Sequence, residues 1–113
     1  MAVVLVVEDE LIVRMGAVDA LQEAGHVVIE AENADAAIDV LERRSDIEVV
    51  FSDVRMPGSM DGLRLLHVIR RRWPPIRLIL TSGTPIPTMD KLPQGTRFLS
   101  KPYAHEDLQK LFT

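Results

Sequence analysis

The chain opens on an unbroken apolar run, Val3-Val4-Leu5-Val6-Val7, which passes directly into three acids, Glu8-Asp9-Glu10. A strand with no polar alternation is one covered on both faces, as in a parallel sheet flanked by helices. The pattern returns at Val27-Val28-Ile29, Val49-Val50-Phe51 and Leu78-Ile79-Leu80, and in shorter form at Phe98-Leu99. Amphipathic segments separate these runs. From Leu11 to Ala24 the residues Leu11, Met15, Val18 and Leu21 recur at helical spacing, and Gly25 stands where a helix end favours glycine. Asn33 can cap a second helix carrying Ala34, Ala37, Ile38 and Leu41 on one face. Gly62 to Arg72 reads as a third helix with Leu63, Leu66 and Ile69 inward, stopped by Pro74-Pro75. His105 to Phe112 reads as a closing helix.

Strand-helix alternation predicts an α/β fold: a three-layer α/β/α sandwich around a five-stranded parallel sheet. Right-handed crossovers leave few topologies, and the flavodoxin-like order 2-1-3-4-5 is one of them. The 113 residues fit one domain, 1–113, and no repeat, linker or low-complexity stretch divides them. The segment from Thr84 to Gly95 holds Pro85, Pro87 and Pro93 and patterns poorly. The helix between strands four and five is therefore expected to be short, irregular or absent.

The net charge of −4 argues against direct binding to nucleic acid, which needs excess Lys and Arg. No cysteine is present, so disulfides and cysteine-held zinc are ruled out. The Val3–Val7 run is too short for a membrane span and lacks the flanks of a signal peptide, so the expected location is cytoplasmic.

In open parallel sheets, ligands bind beyond the carboxyl ends of the strands. Glu8, Asp9 and Glu10 follow strand one, and Asp53 follows strand three. Thr81, Ser82 and Gly83 follow strand four, and Lys101-Pro102 follows strand five. In the expected order, strands one, three and four are central, so these groups converge on one edge. Crowded carboxylates repel each other, and a hard divalent cation removes the conflict. Magnesium takes oxygen ligands and suits one or two carboxylates plus a phosphoryl oxygen. An aspartate nucleophile, a cation, an ammonium and a hydroxyl form a phosphoryl-transfer set. Each piece alone is a common turn or cap; the four in this order are specific. The histidines His26, His67 and His105 sit in ordinary contexts, and Trp73 reads as packing. Arg70-Arg71-Arg72 reads as a solvated helix end favoured by the dipole.

VVEDE at Val6–Glu10, FSDVRMPGSMDG at Phe51–Gly62, LTSG at Leu80–Gly83 and FLSKPY at Phe98–Tyr103 together resemble the receiver (CheY-like) domain of two-component response regulators. The resemblance covers nearly the whole chain. It implies that Asp53 takes a phosphoryl group from a histidine kinase or a histidine phosphotransfer protein. It implies magnesium on Asp9, Asp53 and the backbone carbonyl of Arg55, with Glu8 acting through a metal-bound water. Lys101 and Ser82 would bind phosphoryl oxygens. Phe98 matches the aromatic switch position, turning inward as Ser82 moves. The Lys101–Pro102 bond would be cis. Side chains at Arg55 and Thr84 would set how long the phosphoryl group survives. The altered surface would then engage an unknown downstream protein, with no membrane contact. Such a domain acts as a docking switch, sink or relay, and catalyses only its own phosphorylation and dephosphorylation.

Two departures stand out. The Met56–Gly62 loop is one residue longer than the common pattern, and Ser82-Gly83 replaces the commoner Thr-Ala. Two other readings compete. A magnesium-dependent phosphatase with an aspartyl nucleophile would want an acid at the position of Arg55. A non-phosphorylated protein-interaction module would want the acids or the lysine missing.

Overall fold

The computed structural model describes residues 1–84 and 92–112. Five strands are present: β1 (Val3–Val7), β2 (Val27–Ala31), β3 (Val49–Asp53), β4 (Arg77–Ser82) and β5 (Arg97–Ser100). Among the described residues four helices accompany them: α1 (Leu11–Glu23), α2 (Ala34–Arg43), α3 (Gly62–Arg72) and α4 (His105–Lys110). The sheet is parallel throughout, in the order β2-β1-β3-β4-β5, as expected from the pattern. Residues 85–91, on which most of the expectation of an irregular helix falls, lie outside the described residues.

Alternate strand residues feed two separate cores. Leu5, Val7, Val50, Leu78 and Leu80 pack with Ala34, Ala37, Leu41, Leu65, Leu66 and Ile69 on the α2/α3 side. Val4, Val6, Val49, Phe51 and Ile79 pack with Ala17, Ala20, Leu21 and Leu108 on the α1/α4 side. In β1, β3 and β4 the continuous apolar runs are thus explained by burial on both faces, whereas in the edge strand β2 Val27 is 42% exposed.

The helix ends follow their local chemistry. After α1 the chain turns through Gly25 at φ +90°, a conformation a side chain resists. Gly25 N–H donates to Gln22 O at 3.0 Å and His26 N–H to Leu21 O at 3.0 Å, closing α1 in a Schellman turn. Asn33 caps α2, its side chain accepting from Ala36 N–H at 2.8 Å. Asp61 caps α3 by accepting from Arg64 N–H at 2.9 Å.

Three expectations need correction. Leu11 and Met15 do not point inward: they are 57% and 50% exposed. The buried arc of α1 is Ala17, Val18, Ala20 and Leu21, and Leu11 and Met15 lie on its flank. On α3, Leu65 is fully buried while Leu63 is only partly so. Arg70 is not a solvated helix end. Its guanidinium donates to Pro74 O at 2.7 Å, Ile76 O at 3.2 Å and Gln94 O at 3.2 Å, tying α3 to the chain on either side of β4. Arg72 does remain at the surface, paired with Glu42 and lying over the Trp73 ring.

Candidate functional site

Register decides which side chains meet. Val7 pairs with Ser52, Asp53 with Thr81, and Ser82 with Ser100, so β1, β3, β4 and β5 finish at one edge. Backbone bonds continue past the strands: Glu8 N–H to Ala31 O at 3.0 Å, Val54 N–H to Thr81 O at 3.0 Å, and Lys101 N–H to Ser82 O at 2.9 Å. Glu8, Asp53, Ser82 and Lys101 are therefore mounted on rigid strand ends. Asp53, Ser82 and Lys101 border a cavity of about 600 Å³ that Asp9, Arg55 and Thr84 also line, and Glu8 lies behind it, bonded to Lys101.

The Lys101 ammonium stands between two carboxylates, 2.8 Å from Glu8 Oε1 and 3.1 Å from Asp53 Oδ2. Glu8 is 3% and Asp53 8% exposed. Burial raises the pKa of Glu8, and its bonds to Lys101 and to Glu10 N–H only partly offset this. Burial also works against the Lys101 charge. Its hydrogen bonds to Glu8 and Asp53 outweigh that, holding its pKa above the ordinary value. Lys101 therefore stays protonated across the physiological range. Tyr103 packs edge-on against Phe51 nearby, and burial pushes its hydroxyl up to about 12, so it stays neutral.

Glu8, Asp9 and Asp53 each place one carboxylate oxygen within 4.8 Å of the others. An all-oxygen donor set with no His or Cys fits a hard cation such as magnesium. Asp9 is exposed and open to such an ion. Glu8 is already engaged by Lys101 and by Glu10 N–H at 3.2 Å.

The remaining residues are placed less centrally. Ser82 Oγ turns toward Thr84, accepting from its N–H at 3.2 Å and lying 3.4 Å from its hydroxyl. Phe98 is not among the residues that line the acidic cavity. It is half-buried against the α2/α3 core and lines a separate hollow with Ser82 and Thr84. Arg55 is exposed at the cavity rim. The Lys101–Pro102 peptide is cis.

Gly62 has a role that residue spacing did not reveal. A Cβ there would lie 1.7 Å from the Asp53 carbonyl oxygen and 3.0 Å from Ser52 Oγ. Gly62 N–H also donates to Val54 O at 2.8 Å, and Ser52 Oγ donates to Asp53 O at 2.9 Å. The first turn of α3 thus rests directly on the backbone that carries Asp53. The signal was the Asp-Gly pair, a cap followed by the one residue that permits such contact.

Residues 4–113 match the response regulator receiver domain family. The chain belongs to that family. This receiver domain is 40% identical over 111 residues to the sensor kinase CckA of Brucella abortus, covering 95% of the chain but 12% of the kinase. It is 39% identical over 105 residues to the response regulator protein FleR of Pseudomonas aeruginosa, covering 90% of the chain and 22% of FleR. The chain therefore spans only a small part of these relatives. A solved receiver domain from the hybrid histidine kinase CckA superposes with a TM-score of 0.81 at 32% identity, over 98% of this chain and 95% of that one. The domain is accordingly a two-component receiver with the CheY-like fold.

Proposed function

We propose that Asp53 is the phosphoacceptor of this receiver and that Asp9, Asp53 and the Arg55 carbonyl hold magnesium, with Glu8 acting through bound water. The observation that carries this reading is the ammonium of Lys101 set between Glu8 and Asp53, with Asp9 alongside. An Asp53 oxygen attacks the phosphorus of a phosphohistidine. The new O–P bond forms as the N–P bond breaks, and the imidazole leaves with a proton. Magnesium, when bound, neutralises charge on the transferring group. Lys101 neutralises a second phosphoryl oxygen, already positioned without reorganisation. Ser82 leaves Thr84 and donates its hydroxyl to a third, and Phe98 follows into the hollow they share. A switched surface then meets a downstream protein. Arg55 and Thr84, at the cavity rim, govern access of water and so phosphoryl lifetime.

The phosphoryl source is a histidine kinase or a phosphotransfer protein. An apolar patch supports a protein source: Leu11, Ile12 and Met15 are 57%, 78% and 50% exposed. Ile12 lines a groove that meets the acidic cavity at Gly83 and Lys101. The phosphatase reading finds no support, because Arg55 occupies the position where a second acid would serve. Among the described residues no helix is long and apolar enough to cross a membrane, and a histidine-kinase source of the phosphoryl group supports a cytoplasmic location.

The test is mass spectrometry after incubation with acetyl phosphate and magnesium. The wild type gains one hydroxylamine-labile phosphoryl group, and Asp53→Asn gains none. A wild type that stays unlabelled overturns the reading. In the same assay the adduct on Arg55→Ala decays at a different rate; equal decay removes Arg55 from the account.

A further inference from the structure

Arg14, on the second turn of α1, is bound at both ends of its guanidinium. Its Nη1 donates to the backbone carbonyl of Glu8 at 2.8 Å. Its Nε donates to Glu30 Oε1 on β2 at 2.9 Å, and the side chain is only 15% exposed. Glu8, Asp9 and Glu10 form the link between β1 and α1, and no side chain caps the start of that helix. What holds the Glu8 carbonyl therefore orients the peptide leading into Asp9. On the other side, Glu8 N–H is held by Ala31 O of β2. The peptide groups flanking Glu8 are thus both referred to β2, one directly and one through Arg14.

We infer that Arg14 is a positioning residue for the divalent cation: by fixing the Glu8 carbonyl against Glu30, it holds the acidic pair at the separation from Asp53 that a metal needs. The inference rests on the proposed magnesium site. Two effects of opposite sign compete at this position. A guanidinium near a cation site disfavours the cation, but Glu30 offsets that charge. Orientation is then the larger effect, because the planar fork serves two acceptors that a single ammonium cannot serve in the same geometry. Groups that orient metal-binding residues in this way weaken binding by about tenfold or more when lost.

The test is titration with magnesium alone, followed by calorimetry, on wild type, Arg14→Met, Arg14→Lys and Glu30→Gln, each checked for folding by thermal melting. Arg14→Met keeps the apolar stem and raises the magnesium Kd about tenfold. Arg14→Lys recovers part of the loss, and Glu30→Gln gives a smaller rise than Arg14→Met. The labelling rate with acetyl phosphate at saturating magnesium stays at the wild-type value. If Arg14→Met does not fold, Glu30→Gln and Arg14→Lys decide. Unchanged or tighter binding in the folded variants overturns the inference while leaving the metal site standing. A wild type that binds no magnesium overturns the site itself and this inference with it.

Discussion

At the scale of single residues, the site depends on close approach as much as on charge. Asp53 is presented by a strand end on which the first turn of α3 sits with no room for a methyl group. Gly62→Ala forces α3 or β3 to shift. Overpacking of this kind costs about 1–3 kcal/mol, and here the displaced atom belongs to the Asp53 backbone. Urea denaturation should show that loss, and labelling by acetyl phosphate should slow. Wild-type stability and rate in Gly62→Ala would mean the contact is relieved at no cost. The Lys101 ion pairs illustrate a different economy. Burial raises the proton affinity of Glu8, yet the ammonium keeps the acidic cluster from repelling itself apart.

At the scale of elements, α1 shows how one helix divides its labour. Ala17, Ala20 and Leu21 face the sheet, and the two alanines let the helix lie close. Leu11 and Ile12 face outward, and Ile12 lines the groove that meets the cavity. Replacing either with Gln should change stability by less than about 0.5 kcal/mol, as for surface positions generally. Labelling by acetyl phosphate, which needs no docking, should be unaffected. A loss near that of a core truncation, about 2–5 kcal/mol, in urea denaturation would place these side chains in the core after all. The closing helix α4 is short, but it is not loose. Leu108 is fully buried against the α1 side of the sheet, Gln109 donates to Ala20 O at 2.8 Å, and the Asp107 carboxylate accepts from Ala104 N–H at 3.1 Å.

At the scale of the whole molecule, the end of the sheet opposite the site joins the two ends of the chain. Ala2 N–H donates to His26 Nδ1 at 3.0 Å, and the His26 ring meets Phe112 at 5.0 Å. A protonated Nδ1 cannot accept that bond. The pKa of His26 lies below its ordinary 6.5, chiefly through burial, then the positive N-terminus and Arg77, with Glu48 opposing. Between the folded pKa and 6.5 the unfolded chain binds more protons. Stability is thus full above that window and falls as pH drops through it. Glu8 acts in the opposite sense, because its carboxyl is held above the ordinary 4.5. The informative comparison is therefore wild type against His26→Gln, whose amide keeps an acceptor for Ala2. The melting temperature of the wild type should fall more between about pH 7.5 and about pH 5.5. Parallel curves for the two proteins would exclude the effect.

The sequence alone determined the layer architecture and the identity of the acids, hydroxyl and amine at the edge, and narrowed the strand order to a few topologies. Those follow from short-range rules: unbroken apolar runs must be covered on both faces, and parallel strands present their carboxyl ends together. Helix boundaries at Gly25, Asn33 and Gly62 were legible for the same reason, because helix ends are set locally. The rotation of α1 was not. Spacing places Leu11 and Met15 on a helical stripe, but only packing against the sheet selects which arc is buried. Nor were the contacts of Arg14 with Glu8 and Glu30, of Arg70 with Gln94, or of Gly62 with Asp53. Each joins groups whose separation is set by how helices seat on the sheet. Tertiary structure alone converts a list of reactive side chains into a site with a shape.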